Sequence, residues 1–232
     1  MDVIQLGPLI LNLQLLLFIL SAFAAYMAMN YRLSKVEVRA DRSSKVRSNK
    51  YAVALILGVF IWKFSILLFD PIMTLKYPLS LLYFNGGDKG ILLAVAISLG
   101  YIWVRSRVDG TTIMMNMDVL STGWIAGSSL YHLMLIITQR TDVLFHALFI
   151  CLSAILAFFL FDKKKAVGNA VLFNQIVIWY CLGSIAVSFV KEERVSVVLG
   201  FTREQLGFLI LFLIFLLIDL YKVKEKRRLS NE

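Results

Sequence analysis

Charged residues are scarce in this chain: 17% of its 232 residues, against 59% hydrophobic. With a mean hydropathy of +0.79 it carries more apolar surface than a soluble core could enclose, so it reads as a membrane protein. Cysteine is scarcer still. Cys151 and Cys181 both fall inside apolar segments, with no CxxC spacing and no His or carboxylate at ligand distance in sequence, which points to core packing. P-loop, dinucleotide-binding and metal-ligand motifs are missing, and no transporter-type repeat stands out, so no cofactor and no metal is expected. The net charge of +9 is accounted for by basic loops lying against anionic lipid, without nucleic-acid binding.

What is present is a series of apolar runs. A helix needs about 20 such residues to cross a hydrocarbon layer of roughly 30 Å, and seven segments qualify as spans. They are Pro8 to Asn30, Tyr51 to Phe69, Gly90 to Val104, Val119 to Thr138, Val143 to Phe161, Ala170 to Val190 and Leu206 to Tyr221. The third and seventh are short, consistent either with helices extended by polar turns or with re-entrant segments. The expected fold class is therefore all-α: one seven-helix transmembrane domain over residues 1–232.

Basic residues are distributed unevenly. Seven lie in 31–50, then come Arg105 and Arg107, Lys163 to Lys165, and five in the tail 222–232; these seventeen lie on one side. The other side has six: Lys76, Lys89, Arg140, Lys191, Arg194 and Arg203. By the positive-inside rule, loop 31–50 and the tail are cytoplasmic and the N-terminus is outside. The first segment has no positive flank before it and basic residues after it, the reverse of a secretory signal, so it reads as a retained anchor.

Several polar residues stand inside these spans. Lys63, in GVFIWKFSILLF, costs about 2.5–3.5 kcal/mol on insertion scales. Two readings compete for it: snorkelling toward Asp70, or a cation facing the bundle interior and holding an anion such as a lipid phosphate. In the fourth span Gly123, Gly127 and Ser128 have small-residue packing spacing. His132, beside Tyr131, is either hydrogen-bonded to a neighbouring helix or a titratable site, whereas His146 reads as structural. Asp118 is expected to be solvated or paired with Arg105 or Arg107. The sixth span is interrupted by Asn174, Gln175, Tyr180 and Ser184 on two faces, as suits a helix packed on several sides or lining a cavity. In LGFTREQLGFL, Thr202 and Gln205 have capping-box spacing.

Four stretches, in order, resemble the bacterial prolipoprotein diacylglyceryl transferases. These are QLGPLILNLQLLLFILSAFAAYMAMNYRL, GVFIWKFSILLFDP, YFNGGDKGILLAVAISLGYIWVRSR (similar to the family's H-G-G-L-I-G stretch and third span) and LGFTREQLGFLI. The resemblance implies seven spans, a bacterial cytoplasmic-membrane location, and a phospholipid partner, phosphatidylglycerol, with a lipoprotein precursor as acceptor. It also places Lys63 near a family arginine. The departures bear on chemistry. Asn85 stands where the family has the His of H-G-G, before Gly86 and Gly87, and an amide cannot serve as a general base. The family's G-R-x-G-N-F-x-N-G-E signature falls on GWIAGSSLYHLM, without its arginine, asparagine and glutamate. Its Y-G-x-x-R-F-x-x-E-F-x-R tract falls on WYCLGSIAVSFVKEE, which keeps Tyr180 and a basic residue, Lys191.

The resulting expectation is a transferase-like membrane protein that binds anionic phospholipid in a lateral cavity, with diacylglyceryl transfer impaired or altered. Lys63, Asn85, Gly86, Gly87, Tyr180 and Lys191 are the candidate lipid-binding residues. An active transferase of glyceryl or acyl groups, with His132 as base, is the enzyme alternative; a small transporter or membrane scaffold subunit is the third.

Overall fold

A computed structural model describes residues 3–6, 9–37, 44–77, 81, 86–161, 167–191 and 194–230. Asn85, among the candidate residues, lies outside these. Two short strands, β1 (Val3–Leu6) and β2 (Leu9–Asn12), pair antiparallel with Leu6 opposite Leu9. The remaining described elements are helices, and seven are long and apolar enough to cross a membrane. In hydrocarbon a helix satisfies every backbone donor and acceptor internally, which is why runs of this composition adopt it.

The spans are α1 (Leu13–Glu37), α2 (Ser44–Phe64) continued by the one-turn α3 (Ile66–Phe69), α5 (Gly87–Val108), α6 (Ile113–Thr138), α7 (Val143–Phe161), α8 (Ala170–Ser188) and α9 (Arg203–Ser230). The short α4 (Pro71–Lys76) follows α3. The first span begins at Leu13 and not at Pro8, because residues 9–12 belong to the β-ribbon. The third and seventh are full-length by this measure, 22 and 19 residues, because Gly87–Lys89 and Arg105–Val108 extend the third apolar core and Arg203–Gln205 the seventh. The chain divides into two compact units, Met1–Asn116 and Met117–Glu232.

In the first unit α2 packs against α1 and α5. The α2–α5 contact is a ladder of small residues spaced by four on α5: Gly86, just before the helix, then Gly90, Ala94 and Ser98. A Cβ on Gly86 would fall 1.7 Å from Ser65 Oγ, one on Gly90 2.2 Å from the same atom, and one on Gly58 of α2 2.9 Å from Ser98 Oγ. Two hydrogen bonds cross at this close approach: Gly86 N–H donates to the Trp62 carbonyl (3.1 Å) and the Ser98 side-chain Oγ to the Ala54 carbonyl (3.0 Å). Trp62 is buried and tilts against Phe18 of α1, ring centroids 4.6 Å apart.

The ladder ends in a polar knot. Lys50 is only 2% exposed, and its ammonium donates to Thr111 Oγ1 (2.7 Å) and Ser106 Oγ (3.3 Å). Beside it Tyr51 donates to Asn116 Oδ1 (2.7 Å), and Asn116 Nδ2 donates to Ser106 Oγ (2.9 Å). Buried polar groups are costly unless hydrogen-bonded, and this network supplies the bonds.

In the second unit α8 packs against both α7 and α9. Ile125, Leu156, Leu160, Leu172 and Ile176 form its apolar core, with Tyr180 against its edge. Asn169 caps α8, accepting from the amides of Val171 (2.9 Å) and Leu172 (3.3 Å). The capping box expected at α9 forms: Thr202 N–H donates to Gln205 Oε1 (2.8 Å) and Gln205 N–H to Thr202 Oγ1 (3.3 Å). Asp118 is fully buried and accepts the Gly168 amide (2.7 Å), while Arg105 pairs with Asp109 (3.3 Å). The solvated alternative for Asp118 is thereby replaced.

Candidate functional site

The densest group of titratable and aromatic side chains in the second unit lies where α6 ends and α7 begins. Residues 139–142 join the two helices and turn sharply, with Arg140 and Asp142 at φ 55° and 49°, left-handed values that side chains other than Asn and Asp seldom adopt. The turn folds α7 back along α6 and brings together two histidines fourteen residues apart. His132 Nδ1 and His146 Nδ1 lie 2.8 Å from each other.

At that separation one ring nitrogen donates and the other accepts, so the pair holds a single proton between them. His132 stacks on Phe149 (centroids 4.5 Å, planes 13° apart) and meets Phe145 edge-on at 5.8 Å. The Lys191 ammonium stands 5.8 Å over the Phe145 ring. Asp142 and Lys191 are both near enough to act on His146 electrostatically. His146, read from sequence as structural, is therefore the hydrogen-bonding partner of His132. The fold also brings Lys191 to the same corner.

From this corner a mostly apolar groove of about 270 Å³ extends between α6 and α7. Leu133, next to His132, and Ile150, one turn after His146, line its near end; Thr122 and Phe161 line its far end. Thr122 and Leu133 are eleven residues apart on one helix, about 16 Å at 1.5 Å per residue. That is half of a hydrocarbon layer of roughly 30 Å. Ser153 lines the groove with its hydroxyl buried and without a hydrogen-bond partner among the described residues.

The other candidates are distributed differently. Tyr180 projects from α8 toward the Trp124 indole and the Ser128 hydroxyl, and its ring meets those of Trp124 and Phe208 edge-on at 6.4 and 6.1 Å. It does not line the groove, and neither do Lys191 and His132, the latter being the chain neighbour of the lining residue Leu133. Lys63 is half-buried on α2, in the first unit. Gly86 has its amide committed to Trp62 and its Cα packed against Ser65. Gly87 starts α5 at φ +55° with open space around it.

Sequence reasoning missed three features: the α5 ladder, the histidine pair, and the tie between α8 and α9. In the last, Asn174, 2% exposed, donates to Asp219 Oδ1 (3.1 Å) and the Phe215 carbonyl (3.2 Å). The ladder has a readable signal, small residues at 86, 90, 94 and 98. The other two join residues on different helices and leave none. Among the described residues no three His, Cys, Asp or Glu side chains gather as a metal site would. Comparison with protein-family models, with curated proteins and with solved structures gives no match.

Proposed function

We propose that this seven-helix membrane protein binds an anionic phospholipid, with an acyl chain in the α6–α7 groove and the head group at the corner of Lys191, His132 and His146. The observation that carries the reading is an apolar slot one leaflet long whose lining residues Leu133 and Ile150 respectively adjoin His132 and follow His146 by one turn, while the Lys191 ammonium stands over Phe145, the ring that meets His132. A glycerophospholipid has that shape and polarity, and opposite charge favours an anionic head group. Phosphatidylglycerol is the lipid that the resemblance to the diacylglyceryl transferases suggests. On this reading the chain is a divergent, transferase-like protein of the bacterial cytoplasmic membrane, N-terminus outside. It lacks the arginines that hold a phosphate leaving group, whose loss costs several kcal/mol of transition-state stabilisation, or orders of magnitude in rate.

The test is lipid retention by purified protein. Wild type is expected to hold phosphatidylglycerol over phosphatidylcholine, with Lys191→Met losing the preference and Ala157→Phe, which fills the groove, losing the lipid. Equal retention of both lipids, unchanged in the two variants, would overturn the reading.

The histidine pair favours a second reading, in which the protein transfers a diacylglyceryl or acyl group to a lipoprotein precursor with His132 as base. A base oriented by a hydrogen bond from its own Nδ1 is a familiar catalytic arrangement. Complementation of a transferase-depleted strain, abolished by His132→Ala, is its expected result. A wild-type chain that does not complement would remove it.

A further inference from the structure

Between α8 and α9 the chain makes a two-residue hairpin. Val198 and Phe201 bridge, with Phe201 N–H donating to the Val198 carbonyl and Val197 N–H to the Phe201 carbonyl, both at 2.8 Å. Leu199 and Gly200 at the tip have φ of 50° and 80°. Asn-Gly or Gly-Gly fits such a turn without strain, yet this chain places a leucine at the first position. That leucine is 93% exposed, Val195 is 82% exposed, and Val197 and Val198 are about half exposed. Four large apolar side chains are thus exposed within five residues.

The turn that carries them is held in place. The Arg194 guanidinium donates to the Gly200 carbonyl (3.2 Å) and to Gln205 Oε1 (3.4 Å), and stands 4.4 Å over the Phe189 ring. Gln205, fully buried in the first turn of α9, donates in turn to Ser188 Oγ at the end of α8 (2.8 Å). The Phe201 ring meets Phe189 at 6.0 Å. The turn is consequently pinned at the level where two membrane spans end. Leu199 is four residues from Arg203, so its backbone lies at most about 14 Å from the start of α9. Arg194 lies against the turn and Arg203 follows it by two residues, cations of the kind found at phosphate depth, with the Phe189 and Phe201 rings beside Arg194 and the turn.

We infer that residues 195–201 form a membrane-interface anchor, with Val195, Val197, Val198 and Leu199 seated among the lipids of the leaflet in which α8 ends and α9 begins. The occupant of this face is the bilayer, because the turn is fixed at a depth where the nearest apolar medium is the membrane the flanking helices cross. The inference is independent of the phospholipid site proposed above.

Environment-sensitive labelling tests it. In full-length protein carrying Cys151→Ser and Cys181→Ala, Leu199→Cys is labelled with a nitrobenzoxadiazole dye and reconstituted in phosphatidylcholine–phosphatidylglycerol vesicles; Val195→Cys provides a second position. Blue-shifted emission, quenched by lipids brominated on their acyl chains and several-fold less by aqueous iodide than free dye is, is expected at both. Water-like emission quenched by iodide at the free-dye rate would overturn the anchor. Blue-shifted emission insensitive to brominated lipid would overturn it as well, since it would place the face against protein. Both side chains are exposed, so neither substitution removes a packing contact.

Discussion

Replacing Gly90 by alanine probes the α2–α5 ladder with a change of sign. The added methyl gains about 0.5–1 kcal/mol of helix propensity. It also arrives 2.2 Å from Ser65 Oγ, and the next atoms, Trp62 Cδ1 and the Trp62 carbonyl oxygen, are each 3.3 Å away. Overpacking of that kind costs about 1–3 kcal/mol, so Gly90→Ala alone should destabilise by about 0–2 kcal/mol. Ser65→Ala removes the offending oxygen at small cost, since the Trp62 carbonyl that accepts Ser65 Oγ (2.9 Å) keeps the Gly86 amide. In that background Gly90→Ala becomes neutral or stabilising, a coupling of about 1–2 kcal/mol. Gly86→Ala behaves differently: its methyl would lie 2.9 Å from Ser65 Cβ and from Gly90 Cα, so Ser65→Ala rescues it only in part. Denaturant unfolding of the four-member cycle in mixed micelles, followed by helical circular dichroism, measures the coupling. Equal destabilisation by Gly90→Ala in both backgrounds would refute the close approach.

Other outcomes follow from contacts already described. Asn174→Leu leaves Asp219 without its amide donor and should cost about 1–3 kcal/mol, whereas Gln175→Leu, at an exposed position, should cost little; thermal unfolding compares them. Gln205→Leu deletes a capping box and the bond to Ser188, and should lower stability by about 1–3 kcal/mol by the same measurement. The histidine pair should show one donor and one acceptor Nδ1 in nitrogen-15 spectra, and acid that charges both rings should abolish the shared-proton signal; two identical tautomers at neutral pH would contradict the geometry. Lys50→Met should destabilise the first unit by leaving the Ser106 and Thr111 hydroxyls without their cationic donor, and Lys50→Arg should not restore it, because the buried site fits a compact ammonium.

The spans were legible because a helix that crosses hydrocarbon must be apolar for most of its length, and runs such as Val143–Phe161 satisfy this outright. The α9 cap was legible because Thr202 and Gln205 are three residues apart on one chain segment. What escaped is pairwise and long-range. Nothing in HLMLIIT or FHALF says that His132 faces His146; that depends on the turn at 139–142. Gly86 was legible as a glycine that matters and was given a head-group role, yet its amide is committed to Trp62 and its missing side chain makes room for Ser65. Asp118 was placed at a boundary by its position in sequence, and the approach of Gly168 buries it.

The ladder between α2 and α5 also acts as a gauge of depth. Lys50 is locked at one end by hydroxyls of the opposite segment, and Lys63 follows thirteen residues later, about 20 Å along the same helix. Helices free to slide can relieve a buried lysine by shifting toward the nearer surface. Gly58 interlocked with Ser98, and Gly86 and Gly90 with Ser65, hold this pair in register, so Lys63 stays at a set height, about 9 Å short of the end of its span at Phe69. The height of the Lys63 backbone within its span is thus set by the packing of two helices against each other, and α2 cannot slide to bring that lysine nearer a membrane surface without breaking the contact.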